Sequence, residues 1–398
     1  MRGRTGETLT KPVLIKGAKA VDAGGERSAD LLVSGNTIRE IGDVPGGDYD
    51  IVAANGRFVT PGLIDCHVHL TGDATADYFA TLRRSEAELA LLCLSNAQKA
   101  LEGGVTTMRD CGGYKFAEVA ARDAIHRGAV PGPTLLVSGH FLTMTGGHAY
   151  LVGREADGPA EYVKAAREQL KARVDWLKIM ASGGVLGPGA DPNVAQMTLE
   201  EVRAVVEEGR KAGKPTAAHA HGAAAIEAAV EGGVASIEHG TYLTDALAER
   251  MEQRGTFLVP TAVALRAIAE AGTGRGIDAE SVRNAERVLP KHREAVRRAL
   301  DKGVLVAMGT DAGTPFNEHG QNARELEVLV EYGMSPQQAL SAATLHAARL
   351  LRLDTHVGLL KPGMAADLLI LDRNPLDDIA AFRTSLKRVM HGGCVIDL

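Results

Sequence analysis

The sequence predicts an α/β fold, namely a (β/α)8 TIM barrel with a small β-sandwich domain formed by the N- and C-terminal segments. Two patterns lead to this prediction. Strand-like and helix-like segments alternate from residue 61 to about residue 354, whereas short β-like segments without helical periodicity lie at both ends of the chain. We therefore expect residues 1–60 to form the first part of the β-sandwich, residues 61–354 the barrel, and residues 355–398 the second part.

The individual elements follow from local patterns. Residues 1–10 are polar and are expected to be a disordered lead, and three β-like segments follow them. The eight strand candidates of the barrel are Leu63–Leu70, Val105–Asp110, Thr134–Gly139, Asp175–Met180, Thr216–His221, Ser236–Gly240, Thr256–Pro260 and Val304–Gly309. Helical patterns separate them: a capping box begins at Thr198, and Ser335-Pro336 begins a helix that runs to about Leu351.

Composition limits the classes of function. The chain has 398 residues and a formal net charge of -6, which argues against nucleic acid or an anionic membrane as the main partner. The four cysteines are scattered without a CxxC pair and are expected to be free thiols. We see no signal peptide and no apolar run of the roughly 18 residues that a membrane helix needs. We therefore expect a cytoplasmic protein with a small-molecule substrate, and we leave open whether it forms a homo-oligomer.

The first strand of the predicted barrel ends in two histidines. Pro61-Gly62 interrupts the chain, and the apolar run after it ends in His67-Val68-His69. Side chains at positions i and i+2 of a strand point to the same face, so the two imidazoles are expected to lie side by side, within reach of one metal ion.

Later strand candidates also end in residues that suit metal binding or proton transfer. They are Lys178 in the fourth strand, His219 and His221 in the fifth, His239 in the sixth and Asp311 after the eighth. A single strand-end histidine is more often a hydrogen-bonded core residue, and a strand lysine more often extends to solvent. Because barrel active sites form at the C-terminal strand ends, the ordered combination favours a metal site instead. A buried Lys178 ammonium would be costly, and carboxylation by CO₂ would turn it into an anionic bridging ligand.

Five motifs carry a family resemblance. PGLIDCHVH, DWLKIMASGGV, AHAHG, IEHG and GTDAG resemble the amidohydrolase superfamily, and within it the imidazolonepropionase-like and prolidase-like group of metal-dependent dipeptidases. The late segment VGLLKPGMAADLLILD resembles the returning β-sandwich of that superfamily. The resemblance covers nearly the whole chain.

This resemblance implies a centre with two divalent metal ions, for which zinc is the default. His67, His69 and Asp311 would hold one metal, and His219 and His239 the other. Lys178 as N6-carboxylysine, a CO₂-derived carbamate, and a hydroxide would bridge them.

Two further histidines are expected to bind substrate. His221 occupies a place where dipeptidase relatives often carry a tyrosine that contacts the substrate carboxylate. His148 matches a loop histidine that faces the substrate carbonyl, whereas His140 is better explained as a structural hydrogen bonder.

The chemistry expected from these residues is hydrolysis of an amide bond. Two cations lower the pKa of a bridging water, the hydroxide attacks the carbonyl, Asp311 carries the proton to the leaving nitrogen, and His148 stabilises the oxyanion. The expected substrate is a small carboxylate-bearing amide, such as a dipeptide, an Xaa-Pro-like dipeptide or an N-acyl amino acid. The alternatives are a cyclic amidase, a deaminase, or a non-catalytic barrel scaffold with structural metal. Deaminases of the superfamily usually use one metal and lack the bridging lysine.

Overall fold

Parallel strands and flanking helices make up the central part of the chain, as the sequence predicts. The computed structural model describes residues 11–187 and 191–396, so the predicted disordered lead at residues 1–10 lies outside the described residues. Within these ranges the prediction of an α/β fold with parallel sheets and helices is confirmed.

The strands, numbered in chain order, are β1 Val13–Asp22, β2 Gly25–Ser34, β3 Thr37–Gly42, β4 Asp50–Ala53, β5 Phe58–Pro61, β6 Leu63–Val68, β7 Val105–Asp110, β8 Thr134–Val137, β9 Leu142–Thr143, β10 Arg154–Glu155, β11 Leu177–Met180, β12 Thr216–Ala220, β13 Ser236–His239, β14 Phe257–Val259, β15 Leu368–Leu371, β16 Leu386–His391 and β17 Cys394–Ile396. The α-helices are α1 Glu86–Glu102, α2 Ala117–His126, α3 Gly158–Lys171, α4 Leu199–Lys211, α5 Ala223–Gly232, α6 Asp245–Arg254, α7 Ala262–Ala271, α8 Ala279–Asp301, α9 Arg324–Glu331, α10 Pro336–Ser341, α11 Ala347–Leu350 and α12 Ala381–Thr384. Two 3-10 helices, Tyr78–Arg83 and Thr273–Arg275, and one π-helical turn, Ala342–His346, complete the described elements.

The two ends of the chain form one sheet. Strands β1 to β5 and β15 to β17 belong to it, and β5 pairs antiparallel with β15, where Phe58 lies opposite Leu371 and Pro61 opposite Leu368. Val59, Leu368 and Met390 are buried together in the core of this sheet. The N- and C-terminal segments are therefore joined in one sheet although they lie at opposite ends of the sequence, and their expected assignment to a small β-sandwich domain stays a prediction.

The central strands run parallel in two sheets, β6–β7–β8 and β10–β9–β11–β12–β13–β14. Backbone bonds also join the two sheets, because the Val137 carbonyl of β8 accepts the N–H groups of Asp175 and Trp176, at 2.8 and 3.2 Å. The helices pack on these sheets through a large cluster of buried aliphatic residues. This arrangement brings the C-terminal strand ends to one region.

The eighth strand candidate, Val304–Gly309, does not form a regular strand, and this part of the prediction was wrong. Val306 makes an isolated bridge with Leu258, and Cys66 N–H donates to the Met308 carbonyl at 2.8 Å. The Met308 N–H instead donates to the Ala342 carbonyl of the π-helical turn, at 2.9 Å. The segment is thus bonded to three different neighbours, which prevents a continuous ladder.

The predicted helix starts are confirmed. Thr198 caps α4 and Ser335 caps α10, each in a complete capping box with the residue three positions later. Among the described helices, none combines the length and apolar character needed to cross a membrane.

Candidate metal centre

All eight predicted site residues line one small pocket at the C-terminal strand ends, with a volume of about 50 Å³. They are His67, His69, His148, Lys178, His219, His221, His239 and Asp311. The positions span most of the central sequence, so only the parallel arrangement of strands brings them together. His140 is placed elsewhere: its Nδ1 lies 3.1 Å from the Val152 carbonyl and its ring packs on Phe116.

The first group is formed by His67, His69 and Asp311. The two rings lie 5.3 Å apart, and one oxygen of Asp311, Oδ1, lies 3.5 Å from His67 Nε2 and 3.2 Å from His69 Nε2. Burial alone would raise the pKa of Asp311, but the nearby imidazoles of His67 and His69 offset this effect and hold the pKa well below its usual range. The group therefore offers two imidazole nitrogens and an ionised carboxylate at one point.

The second group is formed by His219, His221 and His239, whose ligand atoms all lie within 4.8 Å of one another. Burial, and then the neighbouring imidazoles, hold the pKa of each ring well below its usual value, so all three are neutral near pH 7. With this separation of the ligand atoms, His221 is close enough to His219 and His239 to bind the same metal ion. Its expected assignment to substrate instead of metal stays a prediction.

Hydrogen bonds fix which nitrogen of each ring is free. The Gly183 carbonyl accepts from His219 Nε2 at 3.0 Å, which leaves Nδ1 with a lone pair. Thr261 donates its hydroxyl to the Pro260 carbonyl and therefore accepts from His239 Nδ1 at 2.6 Å, which leaves Nε2 free. The Gly112 carbonyl likewise accepts from His69 Nδ1 at 2.7 Å. Such outer partners are typical of metal-binding histidines.

A buried ion pair orients His67, and the sequence analysis did not find it. Glu238 Oε2 accepts from His67 Nδ1 at 2.8 Å, and Glu238 Oε1 accepts from Arg109 at 2.9 Å. The Arg109 guanidinium stacks on Trp176, 4.4 Å from the ring centroid. Burial would raise the pKa of Glu238, but the charge of Arg109 and the bond to His67 lower it to about 2. The only sequence signal was a charged residue within each of two buried strands, β7 and β13.

Lys178 extends into the pocket and is 1% exposed. Its Nζ atom lies 3.4 Å from His67 Nε2, and no carboxylate among the described residues forms a salt bridge with it. An ammonium group in such a place is costly, because histidines surround it and no carboxylate among the described residues lies within salt-bridge distance of it.

His148 lies against the second group. Its ring stacks on His219 with 4.5 Å between centroids, and burial lowers its pKa to about 4. A Cβ atom on Gly184 would lie 2.1 Å from His148 Cε1, so glycine is needed there for the imidazole to reach the pocket. The neutral ring can donate one hydrogen bond to a substrate oxygen.

Two of these residues have an unusual backbone. His239 and Asp311 have φ angles of +72° and +59°, in the left-handed region that non-glycine residues seldom adopt. Such strain costs about 1–3 kcal/mol per residue and is concentrated at functional sites.

The donor set fits divalent metal ions. It provides several imidazoles, an ionised carboxylate and a buried lysine within one pocket, and carbonyl, hydroxyl or carboxylate partners hold the rings in place. Closed structural zinc sites need four ligands, so this larger set is more than such a site requires.

Comparison with known proteins shows which family the chain is similar to. The model of the amidohydrolase family matches residues 58–396. The ochratoxinase of Aspergillus niger is 32% identical over 399 residues, which cover 92% of this chain and 81% of the relative. A crystal structure of a Xaa-Pro dipeptidase with bound methionine in the active site superposes with a TM-score of 0.91 and 31% identity, covering 97% of this chain and all of the other. A prolidase complexed with N-methylphosphonate-L-proline has a TM-score of 0.90 and 30% identity over 97% of this chain and 99% of the other.

Proposed function

The chain belongs to the amidohydrolase family and is a hydrolase that acts on amide bonds, and from this premise we propose a binuclear metal-dependent enzyme. Its substrate is a small carboxylate-bearing amide, such as a dipeptide, an Xaa-Pro-like dipeptide or an N-acyl amino acid. The observation that carries this proposal is the buried Lys178, which lies among the histidines and Asp311 without a carboxylate partner. The Xaa-Pro dipeptidase and prolidase relatives support the substrate class.

In this proposal His67, His69 and Asp311 would hold one divalent ion and His219 and His239 the other, and carboxylated Lys178 would serve as an anionic ligand for both. Zinc is the default for such ligands. When bound, the two ions would lower the pKa of a water molecule and polarise the scissile carbonyl.

The protein groups move protons and orient the substrate. Asp311 is ionised near pH 7, because its pKa is lowered, and is thus available to accept a proton from the attacking water and deliver it to the leaving nitrogen. His148 donates a hydrogen bond to the oxygen that becomes negative, and His221 contacts the substrate carboxylate. Both imidazoles line the same pocket as Asp311, which supports these roles.

We also propose that residues 61–354 close into an eight-stranded barrel, with residues 1–60 and 355–398 as a separate β domain. Two backbone bonds support closure on opposite sides of the irregular eighth segment. Ala307 N–H donates to the Leu258 carbonyl at 2.9 Å, and Cys66 N–H donates to the Met308 carbonyl at 2.8 Å.

The proposed activity is tested by metal analysis together with a substrate screen. We expect about two metal equivalents per chain, and hydrolysis of dipeptides or N-acyl amino acids that vary in the C-terminal residue. Cyclic amides and amino-purines in the same screen detect the cyclic amidase and deaminase alternatives. A chain that binds no metal and stays inactive after reconstitution would refute the proposal.

Replacement of the bridging lysine tests the two-metal arrangement. Lys178→Ala should abolish turnover and lower the metal content, because the bridging anion is lost. Lys171→Ala, at an exposed position of α3, is the matched control and should retain both. An unchanged metal content in Lys178→Ala would refute the bridging role.

Replacement of the proton carrier separates metal binding from turnover. Asp311→Asn should keep part of the metal, because His67 and His69 remain, yet lower kcat by about 10²-fold or more. Metal content and kcat are measured on the same preparation. A kcat near that of the wild type would remove the proton-transfer role.

A further inference from the structure

The backbone of Asp311 is strained, and hydrogen bonds hold it in place. The φ angle of Asp311 is +59°, in the left-handed region, which persists only where the surrounding structure fixes it. Asp311 N–H donates to the His67 carbonyl at 2.7 Å, and the Asp311 carbonyl accepts from the Thr314 hydroxyl at 2.7 Å. The position of this carboxylate therefore depends on the segments around residues 67 and 314.

A buried carboxylate joins the strand of His67 to the segment of Asp311. Asp65 is fully buried, and its Oδ1 atom accepts from His67 N–H and from Thr310 N–H, both at 3.1 Å. The Oδ2 atom of Asp65 accepts from the Thr310 hydroxyl at 2.6 Å. This hydroxyl in turn accepts from Ala312 N–H at 3.1 Å, so the residues on both sides of Asp311 depend on the Asp65 carboxylate.

A buried amide holds the Asp65 carboxylate. Asn322 is 2% exposed, and its Nδ2 atom donates to Asp65 Oδ2 at 2.7 Å. The Oδ1 atom of Asn322 accepts from Gly320 N–H at 2.9 Å, and the Asn322 carbonyl accepts from Glu325 N–H at 3.1 Å, at the start of α9. The contact between Asp65 and Asn322 thus joins β6 to a segment 257 residues later in the chain.

Neither member of this pair touches the metal centre. Asp65 and Asn322 are not among the described residues that line the pocket of the eight predicted site residues, which we call the inner pocket. A carboxylate and an amide lose their hydration when they are buried, so each needs hydrogen-bond partners inside the protein. The partners of this pair are the backbone and side chains next to His67 and Asp311, which indicates that the pair holds that backbone.

We infer that Asp65 and Asn322 are positioning residues for the Asp311 carboxylate. They act through the backbone that they hold, and they keep this carboxylate beside His67 Nε2 and His69 Nε2, at 3.5 and 3.2 Å. The inference rests on the proposed function, in which Asp311 binds metal and carries the proton. Without the pair the strained segment relaxes, and the carboxylate moves away from the two imidazoles.

Removal of the amide tests the inference at the backbone of the full chain. Asn322→Ala should speed amide hydrogen exchange of residues 310–314 by about tenfold or more, because the bond to Asp65 is lost. Gln337→Ala is the matched control, since its amide also joins distant segments, through a bond to the Asp22 carbonyl at 2.9 Å. This control should exchange residues 310–314 like the wild type. Unchanged exchange in Asn322→Ala would overturn the inference.

The same variants separate positioning from a general loss of stability. Asn322→Ala should lower kcat and metal affinity by about tenfold or more and change KM less than about twofold, because its side chain does not reach the substrate. Gln337→Ala should lower Tm without a change in kcat or metal affinity. A loss in Asn322→Ala that is confined to Tm would overturn the inference.

Exchange of the two side chains provides a rescue, and it stays informative if Asn322→Ala does not fold. Asp65→Asn brings two amide groups face to face and Asn322→Asp two carboxylates, so each should lower kcat by about tenfold or more. The double variant again pairs one amide with one carboxylate at nearly unchanged volume. It should recover kcat to within about threefold of the wild type. A double variant whose loss equals or exceeds the product of the single losses would overturn the inference.

Hydrogen exchange also distinguishes failure of the inference from failure of the proposed function, because it requires neither metal nor substrate. If the wild type binds no metal and hydrolyses no amide, the proposed function fails, and the exchange of residues 310–314 then decides whether the pair holds this segment. If the wild type is active and Asn322→Ala keeps the same exchange, kcat and metal affinity, only the inference fails.

Discussion

The orientation of each candidate ligand depends on residues that do not face the pocket. Glu238 and Arg109 hold His67, and Thr261 holds His239. His292 Nε2 lies 3.1 Å from the His239 carbonyl, and His319 Nε2 lies 3.2 Å from the His69 carbonyl. Two histidines that sequence analysis assigns no chemistry thus fix the backbone of two expected ligands.

At the scale of single residues, we predict the effect of replacing Glu238. Glu238→Gln leaves Arg109 buried without its anion and keeps only one of the two oxygens that accept from Arg109 and His67, so metal affinity or activity should fall about 10–100-fold. Metal titration and kcat are measured beside Glu227→Gln, which changes an exposed glutamate. Full metal affinity and kcat in Glu238→Gln would contradict an orienting role.

At the scale of elements, a contact between residues far apart in sequence supplies a helix cap that the local sequence lacks. Helix α7 begins after Thr261, which has a φ angle of +55° and gives no side-chain cap. Glu325 from α9 caps the helix instead, because its two oxygens accept from Ala262 and Val263 N–H at 2.9 and 2.7 Å. Leu265 and Ile268 of the same helix line the inner pocket, so this contact also positions the pocket wall.

Because of the Glu325 carboxyl, we expect the free energy of unfolding to depend on pH. Burial raises its pKa from 4.5 to about 8. The unfolded chain releases this proton near pH 4.5 and the folded protein only near pH 8, so the free energy of unfolding falls as the pH rises between these values, by up to about 1.4 kcal/mol per pH unit.

Glu325→Gln has no proton to release and should show a shallower fall. Urea unfolding of wild type, Glu325→Gln and Glu318→Gln, whose exposed side chain serves as control, gives the comparison at pH 5, 6 and 7. Parallel profiles for wild type and Glu325→Gln would show that this carboxyl does not carry the effect.

At the scale of the whole molecule, the expected ligands extend from His67 to Asp311 and come from several segments that are far apart in sequence. Metal ions that bind them cross-link the C-terminal strand ends in the folded state only. Ligands that bind only the folded state stabilise it, by about 4 kcal/mol at a thousandfold excess over Kd.

Metal removal should therefore destabilise the protein. Chelation should lower Tm by about 8 °C, since a chain of this size shifts roughly 2 °C per kcal/mol. Restoring the metal should restore Tm, and Lys178→Ala should show a smaller difference between the two states. Calorimetry with metal analysis of each sample checks this, and an equal Tm after complete removal would contradict it.

The sequence by itself determined the class of fold, the order of the strands apart from the eighth, and eight of the residues that line the inner pocket. It could do so because strand periodicity is local, and because parallel strands place residues such as His67, His239 and Asp311 at the same sheet edge. The tertiary structure alone decided the partners that orient these residues, such as Glu238 with Arg109 and the Glu325 cap of α7. It also decided the irregular eighth segment, the distance of His221 from the other histidines, and the contact between Asp65 and Asn322. These features depend on contacts between residues far apart in sequence, so no local sequence pattern predicts them.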